Sequence, residues 1–131
     1  MLGKTILWLS ALVFIAYGLV SLISPAVPAG FAGLLISNGD AFAEIGAMYG
    51  GLQTGMGLFC LLAVTRLEYY RAGLVLLLIV IGALAVGRLL SLLISADPVS
   101  AYTCGALSYE LITAFLAGIA LGQPSETKKA L

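Results

Sequence analysis

Histidine is absent from the 131-residue chain. That removes histidine-based acid–base triads, most zinc sites and axial-histidine haem ligation together. Charge is almost as scarce. Charged residues make up 9%, six basic and six acidic with a formal net charge of zero, where soluble domains carry about 25%. No basic stripe exists, so nucleic acid is excluded as a partner. There are two cysteines, Cys60 and Cys104. In the reading below they fall near opposite faces of a membrane. A disulfide needs Cα atoms within about 7 Å, so no intrachain bridge is expected and both serve as small apolar fillers. No nucleophile–base pair, metal-ligand set or cofactor motif is visible. The glycine-rich run AEIGAMYGGLQTGMGLF, Ala43 to Phe59, lacks the strand–turn–helix context and the lysine of a phosphate loop. The chain reads as a protein without enzymatic activity, cofactor or metal.

What fills the chain is apolar. Hydrophobic residues make up 62%, against roughly 45–50% in globular proteins, and the mean hydropathy is +1.15. An aqueous surface cannot be assembled from the remainder, so the class is integral membrane protein with the lipid bilayer as its first partner. A membrane-crossing helix needs about 20 apolar residues, and four such runs exist, at 4–24, 41–65, 72–95 and 101–122. Proline-containing SPAVPAG and ADP interrupt the pattern, RLEYYR makes a short polar turn, and 123–131 forms a solvated tail. These boundaries predict one all-α domain over 1–131, a four-transmembrane-helix up-down bundle. The first run is too long for the 7–15-residue core of a secretory signal and is read as a retained span. Segment 25–40, with Phe31, Leu34, Leu35 and Ile36, is too apolar for free solution and predicts an interfacial turn or short helix. Asp40 is the expected N-cap of the span that follows.

Lys4, Arg66, Arg71, Lys128 and Lys129 all fall on one side of this arrangement, and Asp40 and Asp97 on the other. The positive-inside rule then places both termini on the cytoplasmic side of an inner (cytoplasmic) membrane. Tyr69, Tyr70 and Tyr102 lie at span ends, where amphipathic rings favour the interface.

Three charged residues remain inside spans: Glu44, Arg88 and Glu110. Each costs roughly 2.5–3.5 kcal/mol at mid-helix. At about 1.5 Å rise per residue, Arg88 lies about 10 Å, Glu110 about 13 Å, Glu44 about 5 Å and Tyr17 about 10 Å below the outer face. Helical spacing groups Thr103, Ala106, Glu110, Thr113, Ala114 and Ala117 on one stripe. It groups Ser10, Tyr17, Ser21 and Ser24 on another. Arg88 shares its face with Ala85, Ser91 and Ser95, and Glu44 with Met48, Gly51 and Gly55. Arg88 is therefore expected to meet Glu110, Glu44 or both, with Tyr17, Tyr49, Gln53 and Tyr109 as further polar groups. Two acids for one arginine leave a surplus negative charge. The small-xxx-small pairs Gly46/Gly50 and Gly51/Gly55 are expected to let helices pack closely in lipid.

The stretches AEIGAMYGGLQTGMGLFCLLAVTR, RAGLVLLLIVIGALAVGRLLSLLISADP and YELITAFLAG resemble the bacterial DUF4345 family, small four-helix membrane proteins broadly similar to DoxX-like proteins. The resemblance falls on Glu44, Tyr49, Gly50, Gly51, Gly87, Arg88 and Glu110. Gly46 stands where the family has an arginine shortly after its first glutamate. The resemblance implies the fold and the polar positions and supplies no activity.

Two functions stay open. One is a non-enzymatic accessory or structural subunit of a larger membrane complex, docked through glycines such as Gly118 and Gly122. The other is a binder or carrier of a small amphiphile, a lipid or quinone, at the Arg88–Glu cluster. A proton-coupled transporter is a variant of the second and would need a homo-oligomer. The cluster can equally be a buried structural lock.

Overall fold

In the computed structural model, residues 1–95 and 97–123 are described. They form five helices: α1 Leu2–Ile23, α2 Ala26–Ala32, α3 Gly39–Thr65, α4 Leu67–Ile94 and α5 Ala101–Gly122. The expected lysines 128 and 129 of the tail lie outside the described residues. Helices α1, α3, α4 and α5 are each long and apolar enough to cross a membrane. In the most apolar stretch of each, only 28–39% of residues are buried, so most of the leucine, isoleucine and valine surface points outward. Leu12, Ile79, Leu93 and Phe115 are all more than half exposed. Such a surface is at home in hydrocarbon and would aggregate in water, so the chain reads as a multi-pass membrane protein.

The ends of these helices follow from local chemistry. Arg66 alone separates α3 from α4, which opens with a 3₁₀ turn at Leu67–Tyr69. Helix α2 occupies the apolar connection after α1. It stops at Gly33, whose φ of 68° is left-handed, and Leu34 N–H donates back to the Ala29 carbonyl at 2.8 Å. Asp40 does not cap α3. Asn38 does: its backbone is extended and its Oδ1 accepts from Ala41 N–H at 2.9 Å. The cap position requires non-helical backbone, and Asp40 already lies within the first turn.

The helices run alternately up and down. One end of the bundle carries Lys4, Arg66 and Arg71, and there the interior is densely filled. Ile6, Leu7, Phe14, Met56, Cys60, Leu74, Leu77, Ile81 and Ala117 form a single buried cluster. α1 lies along α3 from residue 46 to its end in the largest helix–helix contact, and α4 packs along α5. α3 and α4 touch beside the Arg66 turn and separate beyond it, toward the opposite end.

Glycine makes the α1–α3 contact close, at one expected position, Gly50, and at Gly57 and Gly18, which were not expected. A Cβ added to Gly50 would lie 2.9 Å from the Leu22 backbone nitrogen, and one at Gly57 2.7 Å from that of Ile15. Gly18, on α1, faces Thr54 in the same seam. Gly51 and Gly55 have nothing within 4 Å, and Gly46 meets only Pro25, at 3.6 Å. The expected Gly51/Gly55 and Gly46/Gly50 pairs are therefore corrected to a Gly50/Gly57 seam met by Gly18. Glu44, Met48, Gly51 and Gly55 are all exposed, so the face expected to pack points away from α1. A π-helical segment at Gly46–Gly51, whose wider turn carries an extra residue, lies within this stretch. A second π segment interrupts α4 at Leu77–Ile81.

Candidate functional site

The separation of α3 from α4 leaves a cavity of about 940 Å³ in the half of the bundle away from Arg66. All four long helices line it. α1 gives Val13, Phe14 and Tyr17, and α3 gives Met48, Tyr49, Leu52, Gln53 and Met56. α4 contributes Val80, Ile81, Ala83, Leu84, Gly87, Arg88 and Ser91, and α5 contributes Ala101, Tyr102, Gly105, Ala106, Tyr109 and Glu110. Both π segments form part of the wall, through Met48 and Tyr49 on α3 and Val80 and Ile81 on α4. Such bulges re-aim side chains within an otherwise regular helix and recur at functional sites.

The strongest polar feature is the pair Arg88–Glu110. Arg88 Nη2 donates to Glu110 Oε1 at 2.7 Å. Arg88 Nε donates to Oε2 at 3.0 Å and to Oε1 at 3.2 Å. The two planar groups meet side by side, which gives both charge and shape complementarity. The Glu110 side chain is 6% exposed and that of Arg88 26%, so the acid is sealed and the outer guanidinium edge faces the cavity. Glu110 belongs to the small-residue stripe of α5, where Thr113, Ala114 and Ala117 are also buried. That stripe lets α4 approach closely enough for the pair to form.

Glu44 is a correction. It is exposed on the first turns of α3, does not line the cavity, and has no ion pair among the described residues. The cavity-lining face of α3 begins one turn later, at Met48, and Glu110 already takes the inward edge of Arg88. The expected surplus negative charge is absent as a result: the paired charges sum to zero.

Tyr17 lies beside the pair, and its hydroxyl is 3.1 Å from that of Tyr102. Tyr102 was expected at the interface because it is the second residue of its span. It lines the cavity and stacks on Phe31 of α2, with ring centroids 6.0 Å apart and planes 14° from parallel. The apolar connection after α1 thus reaches α5 at this end of the bundle. Tyr109 donates to Ser10 Oγ at 3.4 Å and meets Phe14 edge-on. Tyr49 and Gln53 line the cavity with no side-chain hydrogen bond among the described residues. Gly87 is a wall residue with open space at its Cβ direction, and so is Gly105.

Sequence reasoning missed Tyr102, Gly105, Met56 and Phe14. The signal for the first two was available: Tyr102, Gly105 and Tyr109 repeat at helical spacing, one residue round from Thr103, Ala106 and Glu110. Met56 and Phe14 carried no such signal, since nothing distinguishes them from lipid-facing apolar residues. Among the described residues no cluster of histidine, cysteine, aspartate and glutamate is arranged to hold a metal.

Residues 2–121 match the family described as Domain of unknown function (DUF4345). Neither the curated proteins nor the solved structures include a match to the chain.

Proposed function

The chain belongs to the DUF4345 family, a domain of unknown function, and on that footing we propose that it is a non-enzymatic binder or carrier of a small amphiphile in a bacterial cytoplasmic membrane. One observation carries this reading: a cavity of about 940 Å³ that mixes an apolar wall with uncommitted polar groups. Ligand sites are concave, mostly apolar and of about 300–1,000 Å³, with a few placed polar groups. The edge of Arg88, Tyr49 and Gln53 would receive the head, and Leu52, Met56, Val80 and Leu84 would hold the chain. A lipid-like molecule would enter sideways, where α3 and α4 stand apart.

Lys4, Arg66 and Arg71 share one end of the bundle, which supports termini in the cytoplasm by the positive-inside rule. The cavity then lies in the outer leaflet. The reading as an accessory subunit has less behind it. Gly118, one of its two docking glycines, turns inward toward Leu78 at 3.6 Å.

Native mass spectrometry of protein purified in mild detergent tests the binder. A bound species of lipid-like mass is expected, and Gly105→Leu, which fills open space in the wall, should remove it. Wild-type protein that carries no adduct and accepts none of several added amphiphiles would end the proposal.

A further inference from the structure

Resting on that reading, we propose that the ligand head is uncharged and hydrogen-bond-accepting, of carbonyl, ester or hydroxyl type, and that the Arg88–Glu110 pair sets this preference. An isolated arginine in a cavity wall selects anions. Arg88 is not isolated. Two of its nitrogens are committed to Glu110 at 2.7–3.2 Å, and the pair is electrically neutral. An anionic head would have two ways to bind. It could displace Glu110 and strand a carboxylate that is 6% exposed, or it could add an uncompensated negative charge beside that carboxylate. The first leaves a nearly buried charge unmatched and the second sets two like charges side by side, and both are costly. A cationic head would meet the outward edge of the guanidinium and be repelled.

A neutral oxygen meets neither penalty. It accepts a hydrogen bond from the part of Arg88 that faces the cavity, and the amide of Gln53 and hydroxyl of Tyr49 line the same space without side-chain partners among the described residues. Tyr17 and Tyr102 satisfy each other at 3.1 Å and still have lone pairs to offer a hydroxyl head. Glu110 also borders the cavity, but its carboxylate oxygens are engaged by Arg88, and its charge sets the sign that the cavity accepts.

Three probes with one common tail separate these cases: oleyl alcohol, oleate and oleylamine. Each is titrated into the purified wild-type protein, the Glu110→Gln variant and the cavity-filled Gly105→Leu variant, with occupancy read by native mass spectrometry. The wild type is expected to bind oleyl alcohol at least about tenfold more tightly than either charged probe, the equivalent of at least about 1.4 kcal/mol. In Glu110→Gln the guanidinium loses its counter-charge while the amide oxygen still accepts a hydrogen bond from it, and oleate should overtake the alcohol. A merely structural role for Glu110 would weaken all three probes alike.

Equal or tighter wild-type binding of oleate, abolished by Gly105→Leu, overturns the neutral-head inference and leaves the binder standing. An unchanged order of preference in Glu110→Gln, with the variant folded by thermal denaturation, overturns the role given to the pair. Binding of every probe that is indifferent to Gly105→Leu overturns both the inference and the proposed function beneath it.

Discussion

Replacing Arg88 by methionine should destabilise the bundle more than any other single change at this site. The substitution keeps most of the apolar volume and removes the guanidinium from Glu110, whose side chain is 6% exposed. All three hydrogen bonds of 2.7–3.2 Å disappear together. Leaving one member of a buried pair uncompensated costs about 3–5 kcal/mol, a large part of a typical total of about 5–15 kcal/mol. Glu110→Met should cost less, about 1.5–3 kcal/mol. The orphaned guanidinium, 26% exposed, borders a cavity where water or a lipid head can solvate it. The double variant Arg88→Met/Glu110→Met leaves no charge to bury and should recover to within about 1 kcal/mol of the wild type. Equilibrium unfolding in mixed micelles, followed by fluorescence of the single tryptophan, Trp8, measures all four proteins. Additive losses in the double variant, or an Arg88→Met loss below about 0.5 kcal/mol, would refute the assignment of a sealed, mutually dependent pair.

Glycine substitutions should separate the real helix seam from the expected one. Gly57→Ala is expected to cost about 1–3 kcal/mol, because the new methyl meets the Ile15 backbone, which cannot move aside. Gly55→Ala, into open space, should stay within about 0.5 kcal/mol or stabilise, measured in the same unfolding titration. Tyr17→Phe and Tyr102→Phe should each lose about 0.5–1.5 kcal/mol, and the double variant little more than one alone, since both remove the same 3.1 Å hydrogen bond. Topology is checked with single cysteines in a chain whose Cys60 and Cys104 are alanine. A membrane-impermeant maleimide should label Ser37→Cys in intact spheroplasts and Arg66→Cys only after permeabilisation. The reverse pattern would put the cavity in the other leaflet.

The sequence by itself determined that four helices can cross a membrane, and at what depth along each the polar residues lie. Apolar run length is a local property, and a helix advances about 1.5 Å per residue whatever surrounds it. Arg88 and Glu110 could be set at matching depth on that basis alone. Depth does not tell which way a side chain points or how far apart two helices stand. The tertiary structure decided that Arg88 takes Glu110 and leaves Glu44 outside, because rotation about each helix axis is set by all its neighbours together. It decided that Gly50 and Gly57, not Gly51 and Gly55, meet α1, because the face that carries Gly51 and Gly55 points away from that helix. It gave Tyr102, at the start of its span, a partner in Tyr17. The cavity was beyond any one-dimensional reading: an empty volume belongs to no residue, and arises only because α4 stays with α5 where it parts from α3.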